Sequence, residues 1–201
     1  MNFNFAGNNS GASAPSLNLN KGGILDLTKQ APNLHNCILA GGWDASVAGP
    51  SADLDLAAFM LNGQGRVERV PDDVIFFNHM AARGISLEGD NLTGGTGGDD
   101  ERIDINLDQI DSRIQKIIFF IVIFDAKNKR QTFGMINNSY VRLLDADNGE
   151  NEICRYELKE RYGMDTAITV CSLNRNASGW EFEAIGDGSI ADLNDLLARY
   201  M

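Results

Sequence analysis

A chain of 201 residues with 17 basic and 28 acidic side chains, net charge -11, is long enough for one folded domain with a sizeable core. The acidity is concentrated: residues 88–111 hold eight carboxylates and one base, Arg102, a field that excludes nucleic acid as a direct partner and favours cations or a basic protein surface. Cys37, Cys154 and Cys171 are odd in number and scattered, which excludes a disulfide framework or a zinc pattern and reads as free, partly buried thiols in a reducing compartment.

Residues 1–16 are Asn, Gly, Ser and Ala with Phe3 and Phe5, too little apolar area to offset backbone ordering. They read as a flexible tail ahead of a single domain, 17–201. Met1-Asn2-Phe3-Asn4-Phe5 lacks the positive region and apolar run of a secretion signal. The longest apolar run, residues 117–124, is too short to span a bilayer as a helix, so the expected location is the cytoplasm.

Leu17 and Leu19 alternate with asparagines, and Lys21-Gly22-Gly23 turns the chain into residues 24–27, which predicts a hairpin. Further strands are predicted at 37–39, 53–61, 74–77, 102–107, 114–124, 140–144, 152–158, 167–173 and 180–185, with a late hairpin turn at 176–179. Residues 117–124 are apolar on both faces, which predicts a central strand covered on both sides, bounded by Lys116 and Asp125. Only the C-terminus reads as helix, with Ser189 as cap, Asp192 at the third helical position, and Ile190, Leu193, Leu196 and Leu197 on one apolar face. Short strands separated by Gly, Asn and Asp turns predict an all-β fold, a β-sandwich with short connecting segments and a C-terminal α-helix.

The chemistry concentrates in Gly89-Asp90-Asn91-Leu92-Thr93-Gly94-Gly95-Thr96-Gly97-Gly98-Asp99-Asp100-Glu101, four carboxylates around a glycine-rich turn without a Lys or Arg. Two like charges about 4 Å apart repel by about 4 kcal/mol at an effective dielectric near 20. A hard cation with oxygen-only coordination removes that penalty, and Ca²⁺ takes roughly 6 to 8 such ligands. A second acidic element, Asp53-Leu54-Asp55-Leu56, precedes it. On a strand Asp53 and Asp55 share one face about 7 Å apart while Leu54 and Leu56 point into the core. With Asp90, Asp99, Asp100 and Glu101 they carry enough charge for two Ca²⁺ ions sharing ligands.

These motifs resemble the TerD family of tellurium-resistance and general stress proteins. The resemblance is carried by Leu17-Asn18-Leu19-Asn20-Lys21-Gly22-Gly23, Gly42-Trp43-Asp44, Asp53-Leu54-Asp55, Phe76-Phe77-Asn78 and the acidic loop. Ile123-Phe124-Asp125-Ala126, Gln131-Thr132-Phe133-Gly134, Tyr140-Val141-Arg142-Leu143 and Trp180-Glu181-Phe182 continue it. It implies a calcium-binding β-sandwich with ligands among Asp53, Asp55, Asp90, Asn91, Thr93, Asp99, Asp100 and Glu101, and with Asn78 as a weaker candidate. It also implies stress complexes built with relatives and an integral membrane partner, peripheral to the inner membrane. His79 stands where relatives commonly carry a further Asn, and the tail before Leu17 is extra.

Other chemistries fit less well. Residues 90–101 mimic the length of an EF-hand loop, but Leu92 and Gly94 fall where oxygen ligands are needed and strands flank it. The glycines are followed by three acids and no Lys, unlike a phosphate cradle. Asp53 and Asp55 have a glycosidase-like spacing, yet sit consecutively on one strand beside more acids. His35 and His79 cannot build a zinc site unaided, Trp43 and Trp180 read as core anchors, and Lys21 and Arg142 as isolated bases. The expectation is a calcium-binding stress-response protein, not an enzyme, whose ion orders an acidic loop for partner binding. The alternative is a constitutive scaffold or nucleotide-binding module in which calcium is purely structural, and oligomerisation is left open.

Overall fold

The computed structural model describes residues 15–44, 52–89, 98–160 and 162–201. In chain order the elements are β1 (Leu17–Leu19), β2 (Ile24–Asp26), α1 (Leu27–Gln30), β3 (Asn36–Asp44), β4 (Leu54–Asn62), β5 (Val74–Ile75) and β6 (Ala81–Ala82). There follow β7 (Ile85–Glu88), β8 (Glu101–Asn106), β9 (Ile114–Ile123), α2 (Ala126–Lys129), β10 (Asn137–Asp145), β11 (Asn151–Glu157), β12 (Ala167–Asn176), β13 (Gly179–Ser189) and α3 (Leu193–Tyr200). Two sheets form, ordered β1-β11-β10-β3-β8-β7-β6 and β2-β13-β12-β9-β4-β5. This is the all-β sandwich with a short C-terminal helix that the sequence predicts. Strands β6 and β7 were not expected, because two to four residues are too few to show alternation.

β9 lies between β12 and β4 and is covered on both faces. Ile117, Phe119, Ile121 and Ile123 enter the core shared by the sheets, and Ile118, Phe120 and Val122 enter a second one. β4 repeats this alternation, with Leu54, Leu56, Ala58 and Met60 inward and Ala57, Phe59 and Leu61 outward. Helix α3 closes the outer core: Leu196 is buried there and the Tyr200 ring stands edge-on to Phe59 and Phe120. Each fully buried side chain of this kind contributes about 1.5–3 kcal/mol. Trp43 and Trp180 are buried as expected. All three cysteines are free and buried, and burial pushes the Cys154 thiol up to about 12.

Two expectations are corrected. β1 and β2 do not form a hairpin: β1 runs parallel to β11 in one sheet, and β2 antiparallel to β13 in the other. Gly22 and Gly23 carry the chain between sheets, Gly22 N–H donating to Ala184 O at 2.7 Å and Ala184 N–H to Gly23 O at 2.9 Å. Alternating leucines report a strand but not its partner, and two open sheet edges supply partners that a three-residue hairpin cannot match. The last helix also starts later than predicted. Ser189 is still paired with Ala167 in the β12–β13 ladder, which keeps the backbone extended there. Asp192 is therefore the cap, exchanging bonds with Asp195 in a capping box, and Ile190 is 72% exposed rather than on the apolar face. Among the described residues no helix is long and apolar enough to cross a membrane.

Candidate metal centre

Asp53 and Asp55 emerge as the pleat dictates. Leu54 and Leu56 are fully buried in the inter-sheet core, and Asp55 lies on the opposite face with Ala57. β5 pairs with β4 only at Ala58 and Phe59, so among the described residues the stretch around Leu56 has no strand on that side. Glu101, the first residue of β8 in the other sheet, fills the gap: its Oε2 accepts the Leu56 N–H at 2.5 Å, and the side chain is 2% exposed. The end of the acidic loop is thereby fixed against the DLD element.

The neighbouring acids are held elsewhere. Asp100 Oδ2 accepts the Trp43 N–H and its own N–H donates to Gly41 O, both at 2.8 Å, which ties it to β3. Asp99 turns to β10, where Arg142 Nε and Nη2 each donate at 2.8 Å and the Tyr140 hydroxyl donates at 3.1 Å. This bidentate pair is charge-assisted on both sides. Its carboxylate holds the Arg142 pKa up, and burial followed by the Asp99 charge raises that of Tyr140. Arg142 is thus not the isolated base expected; it also reaches Glu152 at 3.3 Å. Nor is Lys21, which donates to Asp187 at 2.7 Å.

Asp53 differs from these. Its Oδ1 is buried without a hydrogen-bond partner among the described residues, and its Oδ2 has the Lys129 ammonium 3.5 Å away. Lys129 is delivered by α2, which begins from Asp125 in the left-handed region at φ +55 and closes with Lys129 N–H on Asp125 O at 3.0 Å. Asn78, Asp55, Phe77, Phe124 and Asp125 line a cleft of about 420 Å³ that reaches the start of α3 at Asp192. His79 turns away from it, its Nδ1 lying 2.8 Å from Val74 O.

Asp90, Asn91 and Thr93 lie outside the described residues. Among the described residues no group of three or more His, Cys, Asp or Glu side chains could hold a metal ion. The structure brings Asp53, Asp55 and Glu101 to one stretch of β4, whereas Asp99 is directed to Arg142. Sequence reasoning missed Lys129 and the Tyr140–Arg142 clamp. The second was accessible, since residues two apart on a strand share a face. The first needed the left-handed start of α2. Carboxylate and amide oxygens are the donors a hard cation takes, but the described residues alone do not gather three acidic side chains around one point.

A two-sheet sandwich with an acidic rim and a terminal helix is the class of protein these features define. The profile of the TerD domain family matches residues 16–200. The chain is 39% identical over 188 residues to the tellurium resistance protein TerD of Serratia marcescens, covering 92% of this chain and 97% of that one. It is 38% identical over 189 residues to general stress protein 16U of Bacillus subtilis, with the same coverage. A solved structure of a TerD homologue from Streptomyces coelicolor superposes with a TM-score of 0.65 at 26% identity, covering 81% of this chain and 94% of that chain. The chain belongs to the TerD domain family, whose members include tellurium-resistance and general stress proteins.

Proposed function

We propose that this chain is a calcium-binding member of the stress-response family, acting by ion-controlled ordering of residues 89–101 rather than by catalysis. The observation that carries the reading is Asp53 Oδ1, a buried carboxylate oxygen without a hydrogen-bond partner among the described residues. A buried polar oxygen left without a donor is costly, and the Lys129 ammonium lies by the other oxygen, Oδ2, at 3.5 Å, so a hard cation would complete the carboxylate's coordination. Asp55 and Glu101 converge on the same stretch of β4, and the family resemblance adds Asp90, Asn91 and Thr93. Asp99, neutralised by Arg142, serves as an anchor for the loop, leaving Asp53, Asp55, Asp90, Asp100 and Glu101 as the charged ligand candidates, with Asn78 beside them. Calcium bound there supplies charge neutralisation; the chain's own residues fix where the ordered loop meets the sheets.

The ordered loop then presents a surface to other stress-complex proteins, including membrane-associated ones. Metal analysis of protein purified without added calcium reads ion identity and stoichiometry, with two ions expected. Capture of cellular partners in Ca²⁺ and in EGTA tests the switch: capture indifferent to calcium supports a constitutive scaffold instead. The cleft beside Asn78 has room for a small ligand, but Asp55, Asp125 and Asp192 around it oppose a nucleotide phosphate. Titration with cyclic nucleotides is therefore expected to give no heat.

A further inference from the structure

We infer that Lys129 is a built-in counter-ion for Asp53, occupying the carboxylate in the ion-free protein and leaving it when a divalent cation binds. The inference rests on the calcium reading and adds its regulation. Three observations converge on this lysine. Its ammonium stands 3.5 Å from Asp53 Oδ2, the oxygen next to the unpartnered buried Oδ1. It also lies 4.9 Å over the Phe124 ring, a cation–π contact that gives the charge a defined seat. And the backbone delivers it there: Phe124 N–H is bonded to Asp53 O at 2.8 Å, and Asp125 starts the single turn of α2 that ends at Lys129.

Without an ion, the positive charge beside the Asp53 carboxylate is the Lys129 ammonium. With a divalent ion on Asp53, ammonium and ion are like charges contending for one carboxylate, and the weaker, flexibly tethered one yields. The lysine side chain is 36% exposed, so its four-carbon stem has a path to water. Ion binding is therefore an exchange, and the lysine sets the affinity threshold below which the site stays self-neutralised. By linkage, an ion that expels the lysine must also bind more tightly when the lysine charge is absent.

The test uses full-length protein stripped with EGTA and titrated calorimetrically with CaCl₂. K129M keeps the apolar stem over Phe124 and removes the charge, and is expected to bind Ca²⁺ about tenfold more tightly; K129R keeps the charge and stays near wild type. In wild-type protein, acetylation of Lys129 by acetic anhydride, read by peptide mass mapping, is expected to accelerate at least threefold in saturating Ca²⁺. This second readout needs no variant to fold. A wild-type chain that binds no Ca²⁺ overturns the calcium reading itself. Wild-type binding with a K129M Kd within twofold, and an acetylation rate indifferent to Ca²⁺, overturns the exchange while leaving that reading intact.

Discussion

Glu101 in one sheet accepts the backbone N–H of Leu56 in the other, at 2.5 Å and almost without solvent exposure. A backbone donor left unmet at such a place costs about 1–3 kcal/mol. Glu101→Ala is expected to lose about that much in urea unfolding with EGTA present, which separates the effect from any ion. Glu101→Gln retains an acceptor and is expected to lose less. Equal losses for the two would show that the bond to Leu56 is not what the carboxylate contributes.

Calcium should stabilise the native state. At a hundred times its dissociation constant, a ligand of the folded form alone adds about 2.7 kcal/mol. For a domain of this size, that corresponds to a Tm gain of about 5–10 °C over EGTA. Asp90→Asn combined with Asp100→Asn is expected to abolish most of the gain. Mg²⁺ should rescue poorly, because it demands compact octahedral geometry. Matching melting temperatures in Ca²⁺ and EGTA would defeat the prediction.

The Asp99–Arg142 pair predicts a coupling energy. Asp99 is 8% exposed in its side chain and doubly bonded to the guanidinium, so Asp99→Asn and Arg142→Met should each destabilise by about 1–3 kcal/mol. The double variant should cost clearly less than the sum, as measured by a double-mutant cycle. If Asp99 acts as the proposed anchor, calcium stoichiometry should be unchanged in Asp99→Asn; loss of one ion would return Asp99 to the ligand set.

A pH effect is expected on the outer face of β7 and β8. Asp104 lies diagonally across from Glu88, and burial together with a hydrogen bond to that carboxyl raises its pKa from 3.8 to about 6. The folded chain therefore holds a proton there that the unfolded chain releases. This contribution to stability is largest below pH 4, falls as pH rises from about 4 to 6, and stays lost above. Asp104→Asn should raise Tm at pH 7.5 by about 2 °C and change it little at pH 4. A lower Tm for the variant at pH 7.5 would contradict the assignment.

The period of the sequence carried most of the fold. Residues 117–124, apolar without alternation, read as a strand covered twice, and β9 is that strand as far as Ile123; Phe124 lies beyond its end and is 42% exposed. The alternation of Asp53 and Asp55 with Leu54 and Leu56 likewise set which side faces the core. What periodicity does not encode is pairing at a distance. Nothing near Leu17 indicates Cys154 as its neighbour, and nothing near Asp53 indicates Lys129, which depends on a left-handed residue at Asp125. The acidic site was legible as composition. Its division into an anchored Asp99 and an uncompensated Asp53 oxygen was not, because that depends on which strands converge there.

The pairing of β1 with β11 and of β2 with β13 has a bearing on biosynthesis. Synthesis proceeds from the N-terminus, so these two short segments leave the ribosome well before β11 and β13, the neighbours they pair with. The nascent chain must hold them back until residues 151–189 have emerged, and only then can one peptide stitch both layers shut.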